Sequence, residues 1–589
     1  MGLGFRVRTR RVGVVACAGV LLWASLATAG SASASAKTTS ASAKTNSSHV
    51  LYVGSFQNVT TPPSSTFSTI QAAVDSSKPR DWILIAPGDY HEVGDTGTNA
   101  PSPSDLADGW YGGVDVTTPR IHLRGMNRNS VVVDGTRATA TTPCSSAPAD
   151  QNSLNGDGRN GVLVWKANGV SVDNLTVCNF IGGSGNGGNE IWWNGGAGSG
   201  SIGLRGYSGS YLTATSTYFA GSDPSHLNVC ATCALYGIFS SDSTGPSTLS
   251  QLYANNFSDS GMYVGACKRV CNVTIDHAWM ENNALGYSGT NSGGPVVIKN
   301  STFDSNKDGF DTNTALTGDP PPPQDGRCWG KTSAITGTNM CWVFTDNLVE
   351  NNNNPNVPIA GTAGLGPTGT GMTISGGRYD TITNNKFLNN GAWGMAFLPY
   401  PDGNTTSDGR TCTGTKGLVA TSLGLSGLSC LYDPQAGVLS NNKFSGNGTF
   451  GNPSNADFAN LLIGGNQPVN CFPGNTQWDS TFTHMTGAAT SANALDGFPQ
   501  QTPSTCGTRT PKSPLLGVNT DTTLLVQVEC DSGLLTGPLC SSAHYPQPTA
   551  VVMHPLPSLP SMPNPCSGAP SNLWCPGGVP AVTGAGVRH

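Results

Sequence analysis

Only 11% of the 589 residues are charged. Long amphipathic helices draw on Lys and Glu for their exposed faces, so this scarcity argues against a helical body. Basic residues are few and form no stripe, and the formal net charge is −6. Nucleic acid is therefore not expected as a partner. What the chain has instead is 77 Gly and 40 Pro, a mix that suits many short strands joined by turns. Hydrophobic residues make up 37%, enough for a thin, continuous core.

The first residues read as an export signal. Arg6, Arg8, Arg10 and Arg11 form a positive region, an apolar stretch runs from Val12 to Leu26, and Ala27-Thr28-Ala29 is a small-residue cleavage site. An uncleaved anchor is the alternative, because the apolar run barely reaches spanning length. Thr9-Arg10-Arg11 weakly matches a twin-arginine signal, so the Sec and twin-arginine routes both stay open. Cleavage removes four Arg and no acid, leaving a mature net charge of −10. The expected organisation is a signal peptide over 1–29, a Ser/Ala/Thr-rich linker over 30–48, a repeat body over 49–485 and a Pro/Ser/Thr-rich tail over 486–589. The product is expected to be secreted, free of membrane once mature, and monomeric. Of 17 Cys, one lies in the leader. The even remainder is compatible with disulfides in an oxidising compartment. Cys230-x-x-Cys233 lacks a second metal-spaced pair, so a disulfide is favoured there over zinc.

The body repeats. Phe257, Met280, Phe303 and Val349, each ahead of an Asn-rich turn, follow one another at 23, 23 and 46 residues. Five positions before them stand Leu252, Ile275, Ile298 and Phe344, and seven before the last three stand Val273, Val296 and Trp342. Three positions after the last three recur Asn283, Asn306 and Asn352. The same frame fits Val177, Phe387 and Phe444. Apolar residues two apart with a small or polar residue between them are strand alternation, and coils this short bury their faces only by stacking. The recurring Asn fits a ladder of side-chain amides. The fold expected is all-β: a right-handed parallel β-helix of about 23-residue coils. An N-terminal capping helix is read at Thr69–Val74, ahead of a buried strand from Trp82, and an irregular Cys/Pro-rich tail follows the body.

The run from Thr69 to Glu92, "TIQAAVDSS…DWILIAPGDYHE", resembles the opening of secreted pectate-lyase-like β-helix proteins. "SDSGMYVGA" (258–266) followed by "ENNALGY" is similar to parallel β-helix repeat proteins of the copper-site accessory and carbohydrate-binding type. The resemblance covers about residues 50 to 470 and implies the fold; its members include lyases, hydrolases, epimerases, phage spikes and non-enzymes.

Outward positions and the loops beside them form a groove suited to a chain ligand. Asn306-Lys307-Asp308-Gly309-Phe310-Asp311 departs from its neighbours. If Phe310 points inward, Asp311 points out, and Asp308 at the turn can join it to hold calcium, a cation that favours oxygen ligands. The motif resembles the calcium loop of one pectate lyase family, D-D-G-[F/W]-D, which implies Asp308 and Asp311 as ligands. Lys307 stands at that family's first Asp, and Thr373 stands where it has its basic Lys. The alternative reading makes both acids solvated turn residues. Lys299, Lys331 or Arg327 are candidate bases, and Lys299 and Asp276 are expected one coil apart and able to pair. Lys268, Arg269, His277 and Glu281 complete the charged set, with His277 read as a surface or turn residue. Trp192 and Trp193 beside Glu190, together with Trp393 and Trp329, are candidate sugar-stacking residues, or else loop packing. The long insertions 181–201, 313–342 and 398–436 are the candidate site walls.

Two function classes follow. One is a non-catalytic exported β-helix that binds polysaccharide or cell-surface glycan along a groove. The other is a polysaccharide lyase or glycoside hydrolase acting on a uronate-containing polymer through Asp308 and Asp311, with calcium as the cofactor in the lyase case.

Overall fold

Strands of two to nine residues stack in parallel register, so the same strand contacts recur from coil to coil. The computed structural model describes residues 48–94, 110–152, 158–183, 187–196, 204–221, 227–230, 232–267, 270–314, 324–328, 330–402, 415–418, 428–432, 434–452, 455–460, 470–476, 537 and 544–580. The expected leader, most of the linker, Lys268, Arg269 and Trp329 lie outside the described residues. The unit from Ser48 onward is a right-handed parallel β-helix.

An 18-stranded parallel sheet and a 10-stranded parallel sheet make its walls. The larger sheet is two columns joined at a corner. The first column runs from Val50–Val53 through Trp82–Ile85 and His122–Gly125 to Val296–Lys299, Trp342–Thr345, Asp380–Thr383 and Val438–Ser440. The second includes Gly88–Tyr90, Val131–Asp134, Thr302–Asp304, Leu348–Glu350, Lys386–Leu388 and Lys443–Ser445. The third column is the 10-stranded sheet, from Gly112–Val116 to Ala456–Asn460.

Alternation decides which residues fill the interior. Ile275, Ile298, Phe344, Ile382 and Leu439 stack in one inward file, and Met280, Phe303, Val349, Phe387 and Phe444 in another. All are fully buried, and each such side chain stabilises the fold by about 1.5–3 kcal/mol. The frame expected from sequence slips at one coil. Ala254 opposes Met280 and Leu249 opposes Ile275, so neither Phe257 nor Leu252 holds the place expected for it. That coil carries extra residues in its turns, one of them closed by the Cys267–Cys271 disulfide. Phe257 is fully buried all the same, and its N–H donates to Asn283 Oδ1 at 3.0 Å. It therefore stands at the head of the asparagine ladder.

The corners explain the abundance of Asn. At the bend between the first two columns one residue per coil has positive φ: Asn174, Tyr211, Gln251, His277, Asn300, Asp346, Asn384 and Asn441. Asn enters this left-handed region more readily than other side-chain-bearing residues. At the next bend Asn283, Asn306, Asn352, Asn390 and Asn447 form the expected ladder. Each Nδ2 donates to the next coil's Oδ1 at 3.0–3.1 Å. A second ladder links Asn347, Asn385, Asn442 and Asn475.

The first coil is covered by the helix Ile70–Ser76, N-capped by Thr69 and inserting Ile70, Ala73 and Val74 into the core. Residues 544–580 run back along the stack. His544 N–H meets Asn452, His554 N–H meets Asn256, Met562 N–H meets Asn174, and Arg124 reaches the carbonyls of Pro565 and Ser567. The Cys566–Cys575 loop ends on Tyr52, Phe56 and Trp82 through Trp574. Five disulfides join described cysteines, Cys230–Cys233 among them.

Candidate functional site

The outer face of the third column carries the most distinctive chemistry. Strand parity puts Leu163, Trp192, Phe239, Tyr263, Ser288, Asp311, Thr373 and Ala396 in one outward file, one per coil. Its N-terminal part is aromatic. Trp192 stacks on Phe239 at 4.6 Å, Phe239 meets Tyr263 edge-on at 4.6 Å, and Tyr236 lies 4.6 Å from Phe239. Trp110 leans over Trp165 and Trp192 at 4.7 and 5.1 Å. These rings line an open cavity of about 310 Å3, whose polar edge holds Asn189, Ser241 and Asp242. The Trp192 indole N–H donates to Ser241 Oγ at 3.0 Å, so its ring lines the cavity with its donor satisfied.

Two carboxyls follow the aromatic file. Asp259, at the turn before Ser260–Gly265, accepts from the Tyr236 hydroxyl at 2.9 Å and from Ser260 Oγ at 2.7 Å. Burial pushes it up to about 6; those two hydrogen bonds work against the shift, and the charge of Asp311 adds to it. Asp311 accepts from Thr373, from Asn313 Nδ2 at 2.7 Å and from Ser375 Oγ at 3.3 Å. Burial raises it, and these donors oppose the shift. Both carboxyls are thus raised by burial and held by donors that oppose the shift.

Phe310 is inward, stacked on Tyr287 at 4.3 Å, and Asp311 faces out. Asp308 is not in the groove. It is buried beneath Gly366, in the turn that follows the short helix Gly361–Leu365, and Lys307 Nζ lies 3.9 Å from it while donating to the Gly366 carbonyl. Asp308 and Asp311 belong to no convergent group of three ligating side chains among the described residues. The Gly of the motif has a structural cause. A Cβ at Gly309 would stand 2.6 Å from the ladder amide of Asn352, and one at Gly286 would stand 2.9 Å from that of Asn306.

The other expected site residues scatter. Lys299 sits on the outer face of the first column, paired with Asp276 at 3.3 Å, and the exposed His277 beside them lies 2.6 Å from the same Asp276. Arg327 packs 3.8 Å over the Tyr379 ring, with Asp325 at 3.9 Å. Neither shares a face with Asp311. Trp193 points into the core, fully buried, 5.5 Å from Tyr207. Glu190 is fully buried, accepts the Phe180 N–H at 3.1 Å and is pushed well above the ordinary carboxyl value by burial. Trp393 is 1% exposed, in a cluster with Ala456 and the tail's Tyr545. Of the expected stacking residues that the structure describes, Trp192 lines the cavity, and the expected wall 181–201 contributes Gly187 and Asn189 beside it. Phe239, Tyr236, Tyr263 and Asp259 went unread. Phe239 and Tyr263 are 24 residues apart, so the signal was an aromatic residue recurring at one place in the coil.

No family model and no curated protein matches the chain. Solved structures do. The A-module of a mannuronan C-5 epimerase of Azotobacter vinelandii aligns at 12% identity and a TM-score of 0.38, over 69% of this chain and 93% of that one. A surface adhesin of Streptococcus pneumoniae aligns at 12% and 0.35, over 69% and 86%. A tailspike of an E. coli bacteriophage, in complex with a pentasaccharide, aligns at 12% and 0.36, over 74% and 66%. The β-helix assignment stands on this chain's own strand pairing.

Proposed function

We propose that the protein is exported and binds an extended polysaccharide along the outer face of the third column. The observation that carries this is the aromatic file Trp192–Phe239–Tyr263, one ring per coil, opening on the cavity. Coils repeat at about 4.8 Å, so a chain ligand laid along the axis meets successive rings. Rings present apolar faces to sugar C–H groups, while Asn189, Ser241 and Asp242 offer hydrogen bonds at the rim. The leader pattern and the disulfides support an oxidising, extracellular setting.

A second reading is favoured by one further observation. Asp259, pushed up to about 6 by burial, sits close enough to Asp311 to feel its charge. Two neighbouring carboxyls, at least one with a raised pKa, are the kind of pair a glycoside hydrolase uses. In this reading Asp259 is the general acid and Asp311 its partner.

The test is affinity electrophoresis of the mature protein in gels containing neutral and uronate polysaccharides, beside Phe239→Ala and Tyr263→Ala. Retardation by one polymer, weakened about tenfold in each variant, is expected, since a ring contact contributes about 0.5–1.5 kcal/mol. Retardation that both variants retain would remove the aromatic file from the mechanism. Reducing-end release by wild type and not by Asp259→Asn would promote the hydrolase reading.

A further inference from the structure

We propose that Asp89, His91 and Asp134 form a binding site for a divalent transition-metal ion, with Zn2+ the first candidate. The site lies in the second column, away from the aromatic groove, and is independent of the glycan reading.

Strand geometry builds it. Tyr90 points into the core, so Asp89 and His91 on either side of it share the outer face. The next coil pairs Tyr90 with Val133, which places Asp134 beside His91, one rung along. One ligating atom from each of the three lies within 4.8 Å of the other two. His91 Nε2 is 3.3 Å from Asp89 Oδ2.

The surroundings orient the donors. His91 Nδ1 faces the Thr136 carbonyl at 3.1 Å. A carbonyl only accepts, so Nδ1 carries the proton and Nε2 is the nitrogen turned to the carboxylates. Histidines that bind metals are commonly oriented by this kind of bond. Asp134 is fully buried; Oδ1 accepts from Thr136 N–H at 2.8 Å and Oδ2 from Cys144 N–H at 2.6 Å. Each oxygen keeps lone-pair capacity after one such bond. Cys144 is itself fixed by its disulfide to Cys178, so the buried ligand is held from two sides. Asp89, the most exposed of the three, can rotate to close on an ion. Two carboxylates this close repel one another, and a bound cation relieves that repulsion.

The donor set selects the metal. Calcium takes six to eight oxygens. One imidazole nitrogen and two carboxylates suit Zn2+, which accepts three protein ligands and leaves the fourth position to water.

The experiment is calorimetric titration of the chelator-treated mature protein with Zn2+, and separately with Ca2+, in wild type and His91→Ala. A Co2+ visible spectrum reports the coordination directly. His91 is on the surface side of its strand, so its removal leaves the core intact, and circular dichroism checks this. We expect one Zn2+ per chain at micromolar affinity or tighter, weakened more than about a hundredfold in His91→Ala, with Ca2+ much weaker. Absence of Zn2+ binding, or equal binding in His91→Ala, overturns the proposal and leaves the trio a His–carboxylate ion pair. Preference for Ca2+ over Zn2+ overturns it as well.

Discussion

Two outward faces of this β-helix carry aromatic rings in their N-terminal coils, and the chain treats them differently. On the first column, Tyr52 and Trp82 are covered by the returning tail: Trp574 sits 4.9 Å from Tyr52, and Trp82 shares a buried cluster with Cys566, Trp574 and Cys575. On the third column, Trp192, Phe239 and Tyr263 border an open cavity. The first set is sealed by the chain's own tail and serves stability. The second keeps its rings at a solvent boundary, where a ligand can take the place the tail takes elsewhere. Aromatic content alone does not separate the two cases; the separation comes from what lies on top.

The comparison can be broken by mutation. The largest effect is expected from Trp574→Ala, which empties a fully buried site. It should cost about 3 kcal/mol in urea unfolding and leave polysaccharide binding unchanged. Binding lost along with stability would mean that the two faces are coupled. A middle effect is expected from pH. Burial pushes Asp259 up to about 6, above the ordinary carboxyl value near 4. The folded state then binds more protons than the unfolded state between about pH 4 and pH 6, so stability falls as pH rises through that window and levels above it. Asp259→Asn should flatten its share of that slope, read by denaturant titration at several pH values. Asp304, also pushed up to about 6 by burial with the charges of Glu281 and Glu350 adding to it, contributes a share of the same sign. The smallest effect is expected from Lys299→Ala. The Lys299–Asp276 pair is partly exposed, so its loss should change stability by less than about 1 kcal/mol. A larger loss would show that the first column's surface charges matter more than exposed pairs ordinarily do.

Much of the fold was legible because a solenoid writes its packing as a period. Ile275, Ile298 and Phe344 occupy inward places that their spacing gave away, and the Asn283–Asn306–Asn352 ladder follows the same count. The slip at Phe257 shows the limit. An apolar residue can satisfy the period while the turns absorb extra residues, and backbone pairing alone reveals this. The site was less legible. Trp192 and Trp193 are adjacent, yet one faces the cavity and the other the core, and composition does not tell neighbours of opposite parity apart. Asp308 looked like a ligand because the covering turn at Gly366 comes from 58 residues later in the chain. A Cβ at the motif's Gly309 would meet the Gly371 carbonyl at 2.4 Å and the Asn352 amide at 2.6 Å, a crowding that calls for glycine whatever binds nearby.

The tail has a consequence for how the molecule comes apart and how it is made. Coils that touch only their neighbours fray from either end, one at a time. Here His544 is tied to the coil of Asn452, and Leu573 N–H meets the Tyr52 hydroxyl 521 residues away in sequence. Opening one end therefore loosens the seal on the other, and a stack built on nearest-neighbour contacts gains cooperativity along its whole length. Because the strap follows the coils in sequence and closes on the first of them, the body must stand unsealed until residues 544–580 have been made.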